Sequence, residues 1–464
     1  MVAKLTGAPR LTLLDHRSSS SGDQSVLRWS LGFLRRVVDL GRARVEYAEQ
    51  VLEKKQKKKK SVAGVEQEEL VDETSLGDPD SLFLELNGVQ IHHKLCCSEL
   101  QYYRQVVVVK FPFLLLHGFG ASAFSWNLAM DPLSRLTSSK VLAFDRPAFG
   151  LTSREAPVHA AGTLNPYSTS FSVRATVSFV DSLGDEKAII VGHSAGSIVA
   201  VNTYFEAPER VAALILVCPA LAAPLISLTP NQNNNNNNNN QKITIESETT
   251  RVPLTGDHDD DDAAAAAFVG FGKFLSNLCT YVAWVMVVIL IRITCMVSRT
   301  SSSCRKSLSA LLSSSFAVTL TRTIIDVFGL PIVRFAWHDS TRFTDHFVQG
   351  YTKPLKTKGW EMALLEFANA MVTDSESKPP LMKRLSKISC PVLIITGDND
   401  RIIPTWNAKS LSSVIPGSIL EVIQNCGHLP HEEKVEEFSS VVDKFLHRVF
   451  GNLDLKQEIK SNQC

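Results

Sequence analysis

The stretch Ala188–Val201, A-I-I-V-G-H-S-A-G-S-I-V-A-V, narrows the choice of folds for this chain more than any other. Its apolar opening reads as a buried strand and its Ser-Ile-Val-Ala-Val end as a helix. The small residues Gly192 and Gly196 let the chain turn sharply enough between them to hold Ser194 exposed at the bend. A strand that runs straight into a helix belongs to a crossover unit. Further short apolar runs, at Val141–Phe144, Val211–Ala220 and Val392–Thr396, alternate with segments of helical periodicity. That alternation predicts an α/β protein with a mostly parallel, doubly wound sheet.

Polar residues gather where these runs end. The run Q-V-V-V-V-K-F-P-F-L-L-L closes at His117 and passes into H-G-F-G, a loop whose backbone N–H groups lie at the carboxyl end of a central strand. Phe119 and Ala195 are the N–H positions suited to holding a substrate oxyanion, with His117, Gly118 and Gly120 as the supporting loop. Val141–Phe144 closes at Asp145, read as a structural acid that fixes the loop bearing Arg146 and Pro147. Val392–Thr396 delivers Asp398 and Asp400; Asp400, just before R-I-I-P, is the stronger choice to orient an imidazole, with Asp398 as the fallback. Ile419–Ile423 leads into N-C-G-H-L-P-H-E-E, where His428 is the base and His431 a solvent-facing or loop-capping residue. A serine hydroxyl is a weak nucleophile at neutral pH, so His428 must accept its proton while Asp400 fixes the imidazole tautomer.

The remaining sequence sets outer limits. A net charge of +1 gives no case for a nucleic-acid partner. Nine cysteines without short ligand spacing indicate neither a disulfide framework nor a metal site. Asn87-Gly88 predicts a tight hairpin turn, and His92 and His93 just after it read as sheet-surface residues. Residues 1–60 carry 14 Lys/Arg against 6 Asp/Glu and include a basic amphipathic segment at 26–45. That composition suits an organelle transit peptide, a helix touching anionic membrane, or a solvated tail. Residues 233–240 are poly-Asn and 257–267 are rich in Asp and Ala, which predicts disordered loops. The seventeen uncharged residues 275–291 suit an apolar lid helix that also rests on a membrane, a buried cap helix, or a short span.

The ordered set H-G-F-G (117–120), D-R-P-A-F-G (145–150), G-H-S-A-G (192–196), G-D-N-D-R-I-I-P (397–404) and G-H-L-P (427–430) resembles the α/β-hydrolase superfamily, in its esterase and lipase-like, plant-type branch. Ala148 stands where many members carry Gly. The resemblance implies an eight-stranded, mostly parallel sheet with a large inserted, mainly helical cap, a Ser194–Asp400–His428 triad and no cofactor. The expected division is an N-terminal extension and acidic linker at 1–80, core at 81–221, cap at 222–354, core again at 355–450, and a tail at 451–464. The expected activity is hydrolysis of a hydrophobic or lipid-like ester, with peripheral membrane contact through 275–291 or 26–45 and a chloroplast location. Acyl transfer by the same triad and a non-catalytic receptor or interaction role are the alternatives.

Overall fold

Parallel pairing of the apolar runs builds the sheet. The computed structural model describes residues 61–97, 111–137, 139–154, 164–221, 309–312, 314–373 and 381–461, with side chains as far as residue 451. Ten strands are present among them: β1 Ser61–Val62, β2 Val65–Glu66, β3 Leu82–Leu86, β4 Val89–Cys96, β5 Phe113–Leu116, β6 Val141–Phe144, β7 Ala188–His193, β8 Val211–Val217, β9 Val392–Gly397 and β10 Ile419–Ile423. Eight of them form one sheet in the order β10-β9-β8-β7-β5-β6-β4-β3. Pairing is parallel from β10 through β6 and antiparallel where β4 meets β6 and β3. Asn87 and Gly88, at φ 51° and 80°, make the tight turn between β3 and β4.

Apart from the edge strand β10, each parallel strand is buried on both faces, and its side chains alternate between two cores. Leu114, Leu116, Ile190, Leu214 and Ile394 pack with residues of helices Thr169–Ser182, Gly196–Glu206 and Thr405–Val414. Phe113, Leu115, Ile189, Val191, Ile215 and Ile395 face the other way, against Trp126, Leu133, Phe438 and Phe445 of helices before β6 and after β10. Continuous apolar runs are what such doubly covered strands require.

The chain order reverses at β5: β6 lies on one side of it and β7 on the other. The loops leaving β5 and β7 therefore lie together at the carboxyl edge, the place where ligands bind in open α/β sheets. Leu116 is in register with Gly192, so H-G-F-G and the Ser194 turn start side by side.

The cap between β8 and β9 extends further than the sequence suggested. Its described part comprises Ser315–Ala336, Asp345–Thr352 and Trp360–Thr373. The last of these, assigned to the core from sequence, lies over the D-R-P-A-F-G loop through Ala363 and Phe367 against Ala148 and Phe149. Residues 222–308, with the poly-Asn, Asp-rich and 275–291 segments, lie outside the described residues, as do 1–60.

Residues 61–80 are not a free linker. Val62 and Val65 are buried, Val71 bridges Thr357, and the Trp360 indole donates to the Gln67 side chain at 2.9 Å. Their acidity is used against cap lysines: Asp72 pairs with Lys358, and Asp78 with Lys353. The terminal helix Val435–Ser461 likewise runs through most of the expected tail.

Candidate active site

Ser194 sits at φ 49°, a left-handed conformation in which an L side chain is strained. Surrounding contacts hold it there. Its N–H donates to Val217 at 2.9 Å, and its carbonyl accepts from Ser197 and Ala220, each at 3.1 Å. Gly196 is needed for close approach, since a Cβ there would stand 2.3 Å from the Leu116 carbonyl oxygen. The turn thus presses the helix start against the end of β5. Gly118 lies beside Ser194 Cβ and the His193 ring, which brings H-G-F-G against the serine. The N–H groups of Phe119 and Ala195 donate to no other backbone group among the described residues.

His428 Nδ1 donates to Asp400 Oδ2 at 2.8 Å, and both residues are buried. The other Asp400 oxygen accepts the N–H groups of Ile402 and Ile403, both at 2.8 Å. The R-I-I stretch after Asp400 therefore clamps the carboxylate in place. Asp398 is spent elsewhere, accepting from the Cys426 N–H at 3.1 Å and from Asn399. Of the two acids left open by the sequence, Asp400 meets the imidazole.

His193, immediately before Ser194, links the two halves of the site. Its Nε2–H donates to the His428 carbonyl at 2.9 Å. Burial, then the nearby His431 and His428, push it well below the ordinary histidine range, so it stays neutral. Glu433 holds the other side of the same loop, accepting the N–H groups of Gly427 at 2.8 Å, His338 at 3.1 Å and Asp339 at 3.0 Å. The His428 N–H donates to Ala336 at 2.7 Å. The imidazole loop is therefore sewn to the cap segment 336–339. Sequence reasoning assigns Glu433 no role, and nothing in its spacing marks this one.

The loop that follows β6 is built around Asp145. Its oxygens accept from Ala123 N–H at 2.6 Å, Leu151 N–H at 2.7 Å and His92 Nδ1–H at 2.6 Å. Burial alone would raise this carboxyl; His92 and His117, with the Ala123 N–H, hold it below the ordinary value. His117 donates from Nδ1 to the Gly118 carbonyl and accepts the Arg146 N–H at Nε2. Both bonds need the neutral ring, and burial lowers its pKa to about 4. Arg146 lies buried over Phe149 and Phe367, tying the loop to the cap. Ala148 adopts φ 79°. Ala148→Gly is expected to raise stability by up to ~1 kcal/mol in denaturant titration, because it removes this strain.

Two histidine readings need correction. His92 is not on the sheet surface but buried, because it is the partner of Asp145; His93 is half-buried against Phe179. His431 is neither solvent-facing nor a cap. It is fully buried, 4.1 Å from the Trp126 ring, and neither ring nitrogen has a partner among the described residues. Burial, then His428, lowers its pKa to about 3. Unfolded, the ring titrates near 6.5, so between those values the unfolded chain binds a proton that the folded chain does not. Stability on this account falls as pH drops below 6.5, and His117 acts in the same direction. Glu432 opposes them: burial pushes it up to about 8, so its contribution is lost as pH rises from 4.5 to 8. His431→Phe should keep the ring stack and flatten the acid-side slope by about 1.4 kcal/mol per pH unit between roughly pH 4.5 and 6. Unfolding titrations across that range will read it.

Cys218, Asp400 and His428 each place a potential ligand atom within 4.8 Å of the others. The Asp400 oxygens and His428 Nδ1 are already bonded to each other or to backbone, and burial raises the Cys218 thiol well above its ordinary value. Among the described residues this group is a hydrogen-bonded cluster with poor metal-binding chemistry.

A reversal of strand order, a strained serine just after a central strand and a buried Asp–His pair define the class. The sequence model of the alpha/beta hydrolase family matches residues 113–441, and the chain belongs to that family. It is 22% identical over 333 residues, 72% of this chain, to the dihydrolipoyllysine-residue acetyltransferase component of the acetoin cleaving system of Cupriavidus necator. It is 34% identical over 122 residues, 26% of this chain, to a (lyso)-N-acylphosphatidylethanolamine lipase of Bos taurus. The matches cover 63% and 33% of those two proteins. Among solved structures, a variant of the meta-cleavage product hydrolase CumD aligns with 79% of this chain and 97% of its own, at 19% identity and a TM-score of 0.45.

Proposed function

We propose that the chain is a serine hydrolase that cleaves a carboxylic ester of a hydrophobic substrate through an acyl-enzyme. The observation that carries this reading is Ser194 in a left-handed turn against the H-G-F-G loop, with His428 anchored by Asp400 on one side and bonded to His193 on the other. The Asp400 bond leaves His428 Nε2 as the basic nitrogen. It takes the Ser194 proton as the hydroxyl oxygen attacks the ester carbonyl. The N–H groups of Phe119 and Ala195 stabilise the oxyanion, the imidazolium returns its proton to the departing alcohol, and water then cleaves the acyl-enzyme by the same route.

The hydrophobic preference rests on the walls. Phe119, 60% exposed, stands 5.5 Å from Phe149 and 6.1 Å from Phe367 of the cap. Three rings next to the oxyanion loop suit an acyl chain better than a polar group. The lipid named in the Bos taurus relative points the same way. Hydrolysis rates across p-nitrophenyl esters of graded chain length test the reading, with Ser194→Ala as control. It predicts rising kcat/KM with chain length in the wild type alone; a preference for acetate would refute the hydrophobic assignment. We also propose that residues 1–60 direct the chain to an organelle, the chloroplast being the first to test. Comparing C-terminally tagged chains with and without them decides this.

A further inference from the structure

Cys426, Gly427 and His428 belong to no helix or strand, so each of their N–H groups must find an acceptor elsewhere. Three separate elements supply them. Cys426 donates to Asp398 at 3.1 Å, Gly427 to Glu433 Oε2 at 2.8 Å, and His428 to the Ala336 carbonyl at 2.7 Å. Among these acceptors Glu433 faces two ways. Its Oε2 also takes the His338 N–H at 3.1 Å and its Oε1 the Asp339 N–H at 3.0 Å, both from the cap. Two successive N–H groups of the cap and one of the loop thus converge on a single carboxylate, itself only 3% exposed. Bonds to a charged acceptor hold more firmly than bonds between neutral groups.

Packing leaves the loop little slack. A Cβ at Gly427 would stand 2.2 Å from the Ala336 carbonyl oxygen and 2.6 Å from the His338 nitrogen, and one at Gly397 would stand 2.2 Å from the Gly427 oxygen. Cap backbone and loop backbone therefore touch directly, with the end of β9 against the loop. Asp400 fixes the ring of His428 through Nδ1, but where the residue stands is decided by its backbone. There Glu433 joins cap and loop. We infer that Glu433 is a positioning residue: by holding Gly427 against His338 and Asp339 of the cap, it sets the reach of His428 Nε2 toward Ser194. The inference rests on the proposed role of His428 as the base. Glu433 acts only through that base, and a displacement of about 1 Å is enough to cost ~10²-fold in rate. The adjacent Glu432 also holds the cap, accepting from the Tyr351 hydroxyl at 2.6 Å, but this bond bypasses the loop.

The test compares the full chain with Glu433→Ala, Glu433→Gln and Glu432→Gln in two measurements. The first is kcat and KM for p-nitrophenyl ester hydrolysis. Glu433→Ala is expected to lose at least ~30-fold in kcat with KM within about 3-fold. Glu433→Gln, whose amide oxygen can still serve Gly427, should lose about 5-fold, and Glu432→Gln should stay within about 2-fold. The second is proton NMR of the chain with isotope-labelled histidines, in which an imidazole N–H held by a carboxylate resonates far downfield. The His428 signal is the one that Asp400→Asn removes, and the His92–Asp145 signal reports that the fold is kept. The His428 signal should vanish in Glu433→Ala, broaden in Glu433→Gln and persist in Glu432→Gln. An unchanged kcat or an unchanged His428 signal in the folded Glu433 variants overturns the inference. So does a raised KM at constant kcat, an equal loss in Glu432→Gln, or a wild type without the Asp400-dependent signal. If Glu433→Ala does not fold, Glu433→Gln decides alone. A wild type that hydrolyses no ester would refute the hydrolase reading, whereas the NMR comparison would still decide whether Glu433 places His428.

Discussion

Ser194→Ala is expected to lower kcat/KM for ester hydrolysis by about 10⁵-fold while leaving the fold and its thermal midpoint nearly unchanged. The methyl group sits on the same left-handed backbone, so the strain is neither added nor relieved, and the bonds that hold the turn use only main-chain atoms of Ser194. What is lost is the hydroxyl oxygen that forms the acyl bond in the proposed mechanism. Asp400→Asn should cost about 10⁴-fold by a different route. The new amide oxygen can keep both bonds from Ile402 and Ile403, so the loop stays in place. Its NH₂ then faces His428 Nδ1 and selects the tautomer with hydrogen on Nε2, which cannot accept the serine proton. Asp398→Asn, whose carboxylate faces Cys426, should leave kcat within about 3-fold.

The largest stability effect is expected at a residue that performs no chemistry. Asp145→Ala removes the acceptor for Ala123 N–H, Leu151 N–H and His92 Nδ1–H at once, all in the interior. Each stranded donor costs about 1–3 kcal/mol, so for three of them a loss of at least ~3 kcal/mol is expected in denaturant titration. The expected outcome is a chain that is largely insoluble or unfolded at 37 °C. Asp145→Asn keeps one acceptor oxygen and should fall between the wild type and the alanine variant. An activity defect in Asp145→Asn without a stability defect would mean that the carboxylate acts in catalysis, contrary to its position away from the Asp400–His428 pair.

Much of the fold could be read in advance because buried parallel strands leave an unambiguous record. Phe113–Leu116, Ala188–Val191 and Val392–Ile395 must be apolar on both faces, so each appears as a continuous run, and the motif that follows each run marks the carboxyl edge. The Asn87-Gly88 turn was legible for an equally local reason. Asp400 could be preferred over Asp398, yet only the backbone bonds from Ile402 and Ile403 explain the preference physically.

Long-range pairing left no such record. Glu433 meets residues of the cap about a hundred positions upstream, and His92 meets Asp145 across the β4–β6 edge; neither spacing has a period. A histidine two residues after a leucine at a helix start reads as polar, whereas the position of His431 under Trp126 is set by the packing of three separate elements. By composition residues 64–80 read as an acidic linker. Its acids turn out to match Lys353 and Lys358 of the cap, a complementarity visible only once the chain is folded.

The central claim is that Ser194 is a nucleophile activated by His428. Reaction of the intact protein with a fluorophosphonate, followed by mass spectrometry of the digested chain, tests it without knowledge of the natural substrate. One phosphonyl adduct per chain is expected, on Ser194, absent in a folded Ser194→Ala protein and formed far more slowly in Asp400→Asn. A folded wild-type chain that takes up no label, or an undiminished adduct in Ser194→Ala, would contradict it.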